Sequence, residues 1–345
     1  MIEITRYKIK TILMTLMILL LIGCSAPGQS EQQSGTEVTV TTGAISFDLR
    51  YIRSGSYYVG DNPPAAANVT LTDGYWIGET EVTYNLWYEV YQWATDDTNG
   101  DGIIDDDGNG SRNADGGLLY DFANSGAEGS SGSPGAAPTP STWEPVVAVS
   151  WRDNILFCNA LSEKSGLSPV YCSDIDYLTP LRTVTTNAAL DTTAGHEDNP
   201  YVNWNANGYR MPTEVEWEIA GRGAGPAISA GTYGTTYAGS DIIDDVAWIF
   251  DNSGVESHDV GTLDPNELGL YDMSGNVLEF CWDWYGGTFP FAGSDPSGPV
   301  TGTERETRSG TFGWSASGSE VTRRVAAYSP PSSVNALGIR IAKNQ

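Results

Sequence analysis

The chain has 345 residues and a formal net charge of −27, from 17 basic and 44 acidic side chains. That length suffices for one large domain or two small ones. The charge repels polyanions and so excludes nucleic acid as a partner, while it favours hard cations, calcium above all outside the cell. Eleven Trp, eighteen Tyr and forty Gly point to many short elements joined by loops rather than to long helices.

Arg6, Lys8 and Lys10 form a positive opening, followed by an apolar run from Ile12 to Ile22 broken only by Thr15. The run is shorter than the roughly 20 apolar residues a membrane-spanning helix needs; it suits the apolar region of a signal peptide. It ends in Leu21-Ile22-Gly23-Cys24, which resembles the lipobox of bacterial lipoproteins. The resemblance implies that Cys24 carries lipid and that the protein meets a membrane through that lipid. Ser25 after Cys24, rather than Asp, resembles the sorting pattern for the outer membrane, so a periplasmic or surface-facing lipoprotein is expected. Ser25 to Thr42 is rich in Ser, Gln, Gly and Thr and reads as a flexible tether. The expected division is therefore a signal peptide over 1–23, a tether over 24–43 and one domain over 44–345.

Within that domain, Ile45–Ser54, Tyr57–Gly60 and Asn68–Leu71 read as strands. A helix is predicted over Tyr84–Ala94, capped by Thr83, with Leu86, Val90 and Trp93 on one side. Residues 95–141 and 173–207 are poor in apolar periodicity and rich in Gly, Ser, Asp and Asn, so both read as inserted loops. A second helix is predicted over Trp151–Lys164, with Ser150 and Asp153 at capping-box spacing and Gly166 as its stop. A third is capped by Thr213 with Glu216 three residues on. It carries Val215, Ile219 and Ala220 on its apolar side and stops at Gly221 and Gly223.

Asp97, Asn99, Asp101 and Asp105 fall at positions 1, 3, 5 and 9 of an EF-hand-type calcium loop. Gly102 stands at the sharp turn, and Ile103 at position 7 can offer its carbonyl. Position 12 is Gly108 rather than a bidentate Glu, so Asp106 or Asp107 has to substitute. Cys158 and Cys172 can pair in an oxidising compartment; two buried unlinked thiols are the alternative. Cys281 is left among Phe280, Trp282 and Trp284. The only histidines, His196 and His258, form no cluster for a transition metal.

Two stretches carry a family resemblance. Gly208 to Gly223 (GYRMPTEVEWEIAGRG) resembles the YRLPTEAEWE motif of the formylglycine-generating, or sulfatase-modifying factor, family. Asn266 to Phe280 (NELGLYDMSGNVLEF) resembles its N-x-x-GLYDM-x-GNVWEW stretch. Weaker blocks follow in the family's order: Ile52–Gly60, Tyr75–Thr83, Pro145–Trp151 and Gly338–Arg340. The resemblance covers about residues 45–342 and implies an irregular α+β, C-type-lectin-like fold with few short helices and much loop.

The family's oxidising members bind copper(I) through two cysteines just after an R-GGS motif. Here that region reads Arg308 to Ser319 (RSGTFGWSASGS), and Trp314 and Ser319 stand in the cysteine register. Indole and hydroxyl cannot replace two soft thiolates, so copper is not expected. The HxxxHxE iron site of the family's sulfoxide synthases is missing as well. The resemblance also implies a calcium site at the Asp272 and Glu279 side chains with the Gly275 and Val277 carbonyls. That set is chemically plausible, because hard cations take oxygen ligands. The segment Thr311 to Tyr328 then stands where the catalytic cleft would be. Phe312, Trp314 and Tyr328 mix there with Ser315, Ser317 and Ser319, the composition of an adaptable binding surface; core packing is the alternative for each ring. The first functional expectation is a calcium-stabilised surface lipoprotein that binds a protein or small-molecule ligand. The second is an oxidoreductase of the sulfatase-modifying type with an unrecognised site.

Overall fold

The computed structural model describes residues 32–60, 67–96, 119–286 and 292–345. From residue 34 onward these belong to one compact unit, Ser34–Gln345. Cys24 and the Asp97–Asp105 loop lie outside the described residues.

The first strand, β1 (Glu37–Thr42), pairs antiparallel with β2 (Ile45–Ile52) along its whole length. This corrects the expected tether, which was drawn as far as residue 43. The polar composition hides a period of two, in which Val38 and Val40 alternate with threonines that also favour strand. Next come β3 (Gly55–Val59), β4 (Ala67–Leu71) and β5 (Tyr75–Gly78), and then the helix α1 (Tyr84–Thr95). As predicted, Thr83 caps α1 by accepting from the Leu86 N–H. After the short pair β6 (Ala127–Glu128) and β7 (Val146–Val147) comes α2 (Trp151–Lys164), where the Ser150–Asp153 capping box is complete. Another pair, β8 (Tyr171–Cys172) and β9 (Tyr201–Val202), precedes β10 (Tyr209–Arg210) and α3 (Glu214–Gly221), which has the Thr213–Glu216 capping box. Two short helices, α4 (Ala224–Ala230) and α5 (Ile243–Val246), lead to the long central strand β11 (Leu278–Trp284). The chain finishes with β12 (Gly293–Ser294), β13 (Arg305–Arg308), β14 (Val325–Tyr328), β15 (Leu337–Ile339) and β16 (Ala342–Asn344).

The last strand stitches the fold together. β16 lies between β5 and β10 in a five-stranded sheet ordered β1-β2-β5-β16-β10. A second sheet runs β14-β13-β11-β15, with β15 parallel to β11. One apolar core gathers α1, α2 and the start of β11, with Trp87 stacked on Phe157 at 4.8 Å. Another packs Trp217, Val215 and Ile219 of α3 against β3, β4 and β5.

Burial goes further than the apolar pattern implied. Every residue of α3 is buried, including Glu214, Glu216 and Glu218. Charged groups enter a core only when paired, and here arginines do the pairing. Arg308 reaches Glu214 and Glu218 at 2.8 and 2.9 Å. Arg210 takes Glu216 at 2.6 Å, and Arg222 takes Glu218 at 2.8 Å. Another buried arginine, Arg152 of α2, organises the second insertion. It grips Asp198 through two hydrogen bonds of 2.6 and 2.7 Å and donates to the Thr185 and Asn187 carbonyls. That is what converts a low-complexity loop into fixed structure.

Cys158, Cys172 and Cys281 are all free and buried. Of the two alternatives for Cys158 and Cys172, unlinked thiols hold. The side chain of α2 that meets the β8 segment is Asn159, which accepts from Val170 and Tyr171 and donates to the Tyr171 carbonyl at 2.7 Å. Cys158 is rotated about 100° away around the helix. Burial raises both thiol pKa values, that of Cys172 to about 11, so neither is a ready thiolate nucleophile.

Candidate functional site

Two neighbouring regions at the start of β11 and the end of β13 carry the residues singled out from sequence. The first is the turn 272–277. Asp272, Gly275 and Asn276 all have positive φ, which folds the chain sharply enough to aim several groups inward. Gly275 is required, since a Cβ there would come 2.4 Å from the Trp248 carbonyl oxygen. Asn276 braces the turn: its N–H donates to Trp248 O, its Oδ1 accepts from His258 N, and its Nδ2 donates to Glu81 at 3.0 Å. Glu81 also accepts from Val277 N at 3.2 Å and is buried.

Three buried carboxylates, Glu81, Asp272 and Glu279, thus share one buried guanidinium, that of Arg340. Burial raises the Glu81 pKa well above the usual carboxylate range, and the nearby Asp272 charge adds to the shift. Burial likewise pushes Asp272 up to about 6, against the pull of the Gly261 N–H and Arg340. Asp272 Oδ2 accepts from Gly261 N at 2.7 Å, whereas its buried Oδ1 has no hydrogen-bond partner.

An orphaned buried carboxylate oxygen in a cluster short of positive charge suits a hard cation. The expected ligand set is only partly available, however. Both oxygens of Glu279 are engaged by Arg340, and Trp217 Nε1 donates to it at 2.5 Å. The Gly275 carbonyl already accepts from Ser309 Oγ at 2.8 Å, which leaves it a second lone pair. Among the described residues no three His, Cys, Asp or Glu side chains gather as a metal cage. Of the expected ligand set, Asp272 Oδ1 is unpartnered and the Gly275 carbonyl has a lone pair to spare. Glu81 is a carboxylate that sequence reasoning missed, because 191 residues separate it from Asp272.

The second region follows β13. Ser309 and Gly310, both at positive φ, throw the chain into the segment 311–319. The six predicted ligand-binding residues separate there. Phe312 is 7 % exposed and packs with Ala127, Val147 and Val277, so it is core rather than surface. Its backbone is clamped as well, with its N–H donating to Asn276 O at 2.7 Å and its carbonyl accepting from Ser253 Oγ at 2.8 Å. Ser319 is buried too, with an unpartnered hydroxyl, and close packing against Gly310 keeps it inside. Tyr328 is half-buried, edge-on to Phe280 at 6.5 Å. Trp314 is partly buried, while Ser315 and Ser317 are exposed. Beside them lies a residue that sequence reasoning passed over. Phe250, 54 % exposed, donates its N–H to the Trp314 carbonyl at 2.8 Å. Val255, on the same turn, is 49 % exposed. The only sequence signal for this turn is a large apolar residue directly before Asp251-Asn252-Ser253-Gly254.

A fold of short helices and small sheets, with this turn and this C-terminal segment, matches known proteins. The model of the sulfatase-modifying factor enzyme 1-like domain matches residues 25–345, and the chain belongs to that family. It is 30% identical over 277 residues to a protein named chaperone protein LppX of Paenibacillus barcinonensis, covering 73% of this chain and 78% of the relative. It is also 36% identical over 165 residues to the formylglycine-generating enzyme of Streptomyces coelicolor, covering 42% of this chain and 49% of that enzyme. Among solved structures, Treponema denticola variable protein 1 superposes with a TM-score of 0.65 at 29% identity, covering 90% of this chain and 99% of that one. PvdO from Pseudomonas aeruginosa, at 19% identity and a TM-score of 0.57, shares the fold. Among the described residues no helix is long and apolar enough to cross a membrane.

Proposed function

We propose that this protein is a binding module of the sulfatase-modifying-factor fold, held at a membrane by lipid on Cys24, whose partner is a protein docking on the Trp314 face. One observation carries the reading. At the two positions where the family's oxidising members hold copper(I), this chain has Trp314, partly exposed, and Ser319, buried without a partner. Neither offers the thiolate that copper(I) requires. The surface left there combines the Trp314 and Phe250 rings with the Ser315 and Ser317 hydroxyls. Rigid aromatics among small polar groups form binding hot spots. The relative named a chaperone supports a protein as the partner.

Calcium belongs to this proposal as a structural ion. Bound at Asp272 Oδ1 and the Gly275 and Val277 carbonyls, it would offset the carboxylate excess around Arg340 and stiffen the turn on which Phe312 rests. A second ion at Asp97, Asn99, Asp101, Ile103 and Asp105 is proposed on sequence alone. The lipid anchor, and an outer-membrane position facing periplasm or surface, rest on the sequence around Cys24.

The test is double. A photo-crosslinking amino acid at Ser317 in the producing cell should give a discrete adduct that Trp314→Ala abolishes without loss of fold. Incubation with copper(I), oxygen and a sulfatase-motif peptide should leave the peptide cysteine intact, and appearance of the aldehyde mass would overturn the reading.

A further inference from the structure

Away from the Trp314 face, a cleft of about 660 Å³ opens between the β4–β5 turn, the segment 204–216, the residues just after β12 and residues 344–345. That volume lies within the range of small-molecule sites. Trp204 stands in its wall, 40 % exposed, with a ring that cannot swing freely. Its indole meets Trp282 edge-on at 6.0 Å, Arg210 lies over it at 5.5 Å, and its carbonyl accepts from Asn344 Nδ2. Arg210 is itself fixed by Glu216 and by Asn344 Oδ1. The rest of the lining mixes Leu71, Tyr75 and Pro296 with polar groups, of which Asp73, Asn205 and Asp295 are exposed, Asp295 also accepting from Thr72.

We infer that this cleft is a binding site for a neutral oligosaccharide, stacked on Trp204. A rigid apolar plate bordered by carboxylate and amide groups matches a ligand with an apolar C–H face and hydroxyl edges, which is the geometry of a pyranose ring. Competing ligand classes fit less well. Anionic ligands meet Asp73, Asp295 and Glu216 against one cation among the described lining residues, Arg210, in a chain of net charge −27. Cationic ligands at the Trp204 ring would lie beside the Arg210 guanidinium, which is 5.5 Å from the ring centroid, so a second cation–π contact is opposed by like charge. Purely apolar ligands would strip water from the carboxylates without replacing their hydrogen bonds.

The full chain can be titrated with neutral hexasaccharides of glucose, mannose, xylose and N-acetylglucosamine in both α and β linkages, up to about 10 mM, with calorimetry and tryptophan fluorescence as readouts. At least one should bind. Trp204→Ala should weaken that binding about tenfold or more, equivalent to about 1.4 kcal/mol; Trp204→Phe should retain most of it, and Trp314→Ala should leave it unchanged. Melting temperature measured on each variant separates lost binding from lost fold. The inference is overturned if no hexasaccharide binds the wild-type chain, or if binding survives Trp204→Ala in a folded protein. It is equally overturned if adenosine or tryptamine binds at Trp204 while every saccharide fails. Because the Trp314 face plays no part, failure here leaves the protein-docking proposal standing.

Discussion

Replacing Arg308 by Met tests whether arginines hold α3 in the core. The guanidinium is fully buried and bonds Glu214 and Glu218, with a further contact to the Val321 carbonyl at 3.2 Å. Removing one partner of a buried ion pair costs about 3–5 kcal/mol, because the other charge stays buried without compensation. Glu214 keeps Arg324 and Glu218 keeps Arg222, which places the expected loss toward the lower end of that range. Unfolding entropy for the unit Ser34–Gln345, at about 2.1 cal/mol/K per residue, converts 3–5 kcal/mol into a fall in Tm of roughly 5–8 °C. Thermal melts followed by tryptophan fluorescence provide the measurement. Adding Glu218→Gln should recover part of the loss. The control is Glu37→Gln, which breaks a pair with Arg50 at a half-exposed carboxylate and should cost less than about 1 kcal/mol. A shift for Arg308→Met no larger than the control's would refute the reasoning, since it would mean that water reaches Glu214 and Glu218.

Millimolar calcium should raise the Tm over chelator, by about 2.7 kcal/mol of stability at 100 times the Kd of one site; equal melting curves would count against the ion at Asp272. In chelator the pH dependence follows from Asp272, whose folded value of about 6 lies above the unfolded value of about 3.9. A carboxylate raised on folding contributes stability that is fully present below the unfolded value and is lost as pH rises through the folded one. Stability should therefore increase from pH 7.5 to pH 5, with Asp283, pushed up to about 8, acting in the same direction. Calcium should flatten that slope by competing with the proton, and a slope indifferent to calcium would point to buried carboxylates away from the ion, Asp283 and Glu306, which burial raises in the same direction. Phe312→Ala should cost about 3–5 kcal/mol of stability, as a buried ring does. Trp314→Ala should instead weaken crosslinking at Ser317 with a smaller loss of Tm; the reverse order would make Trp314 the core residue. Cys24→Ala should yield a chain without lipid, released from the membrane fraction, as mass spectrometry of its N-terminus will show.

Local signals in the chain were enough for the capping boxes at Ser150 and Thr213, the strands on either side of Gly55 and the family order of motifs. Each depends on residues within a few positions of one another, where backbone geometry sets which side chains meet. The same local view misassigned β1, whose pairing with β2 outweighs a tether-like composition, and it treated Phe312 and Trp314 alike. Those two rings sit two residues apart, yet the turn at Ser309 and Gly310 sends one into the core and leaves the other partly exposed. Only the tertiary structure decided what joins across long separations. Arg308 meets Glu214 across 94 residues, Arg340 meets Glu279 across 61, and the Trp204 cleft is assembled from four stretches of chain. A buried charge is stable only beside its partner, and a partner so distant along the chain leaves no periodic mark in sequence, because burial and electrostatics act through space.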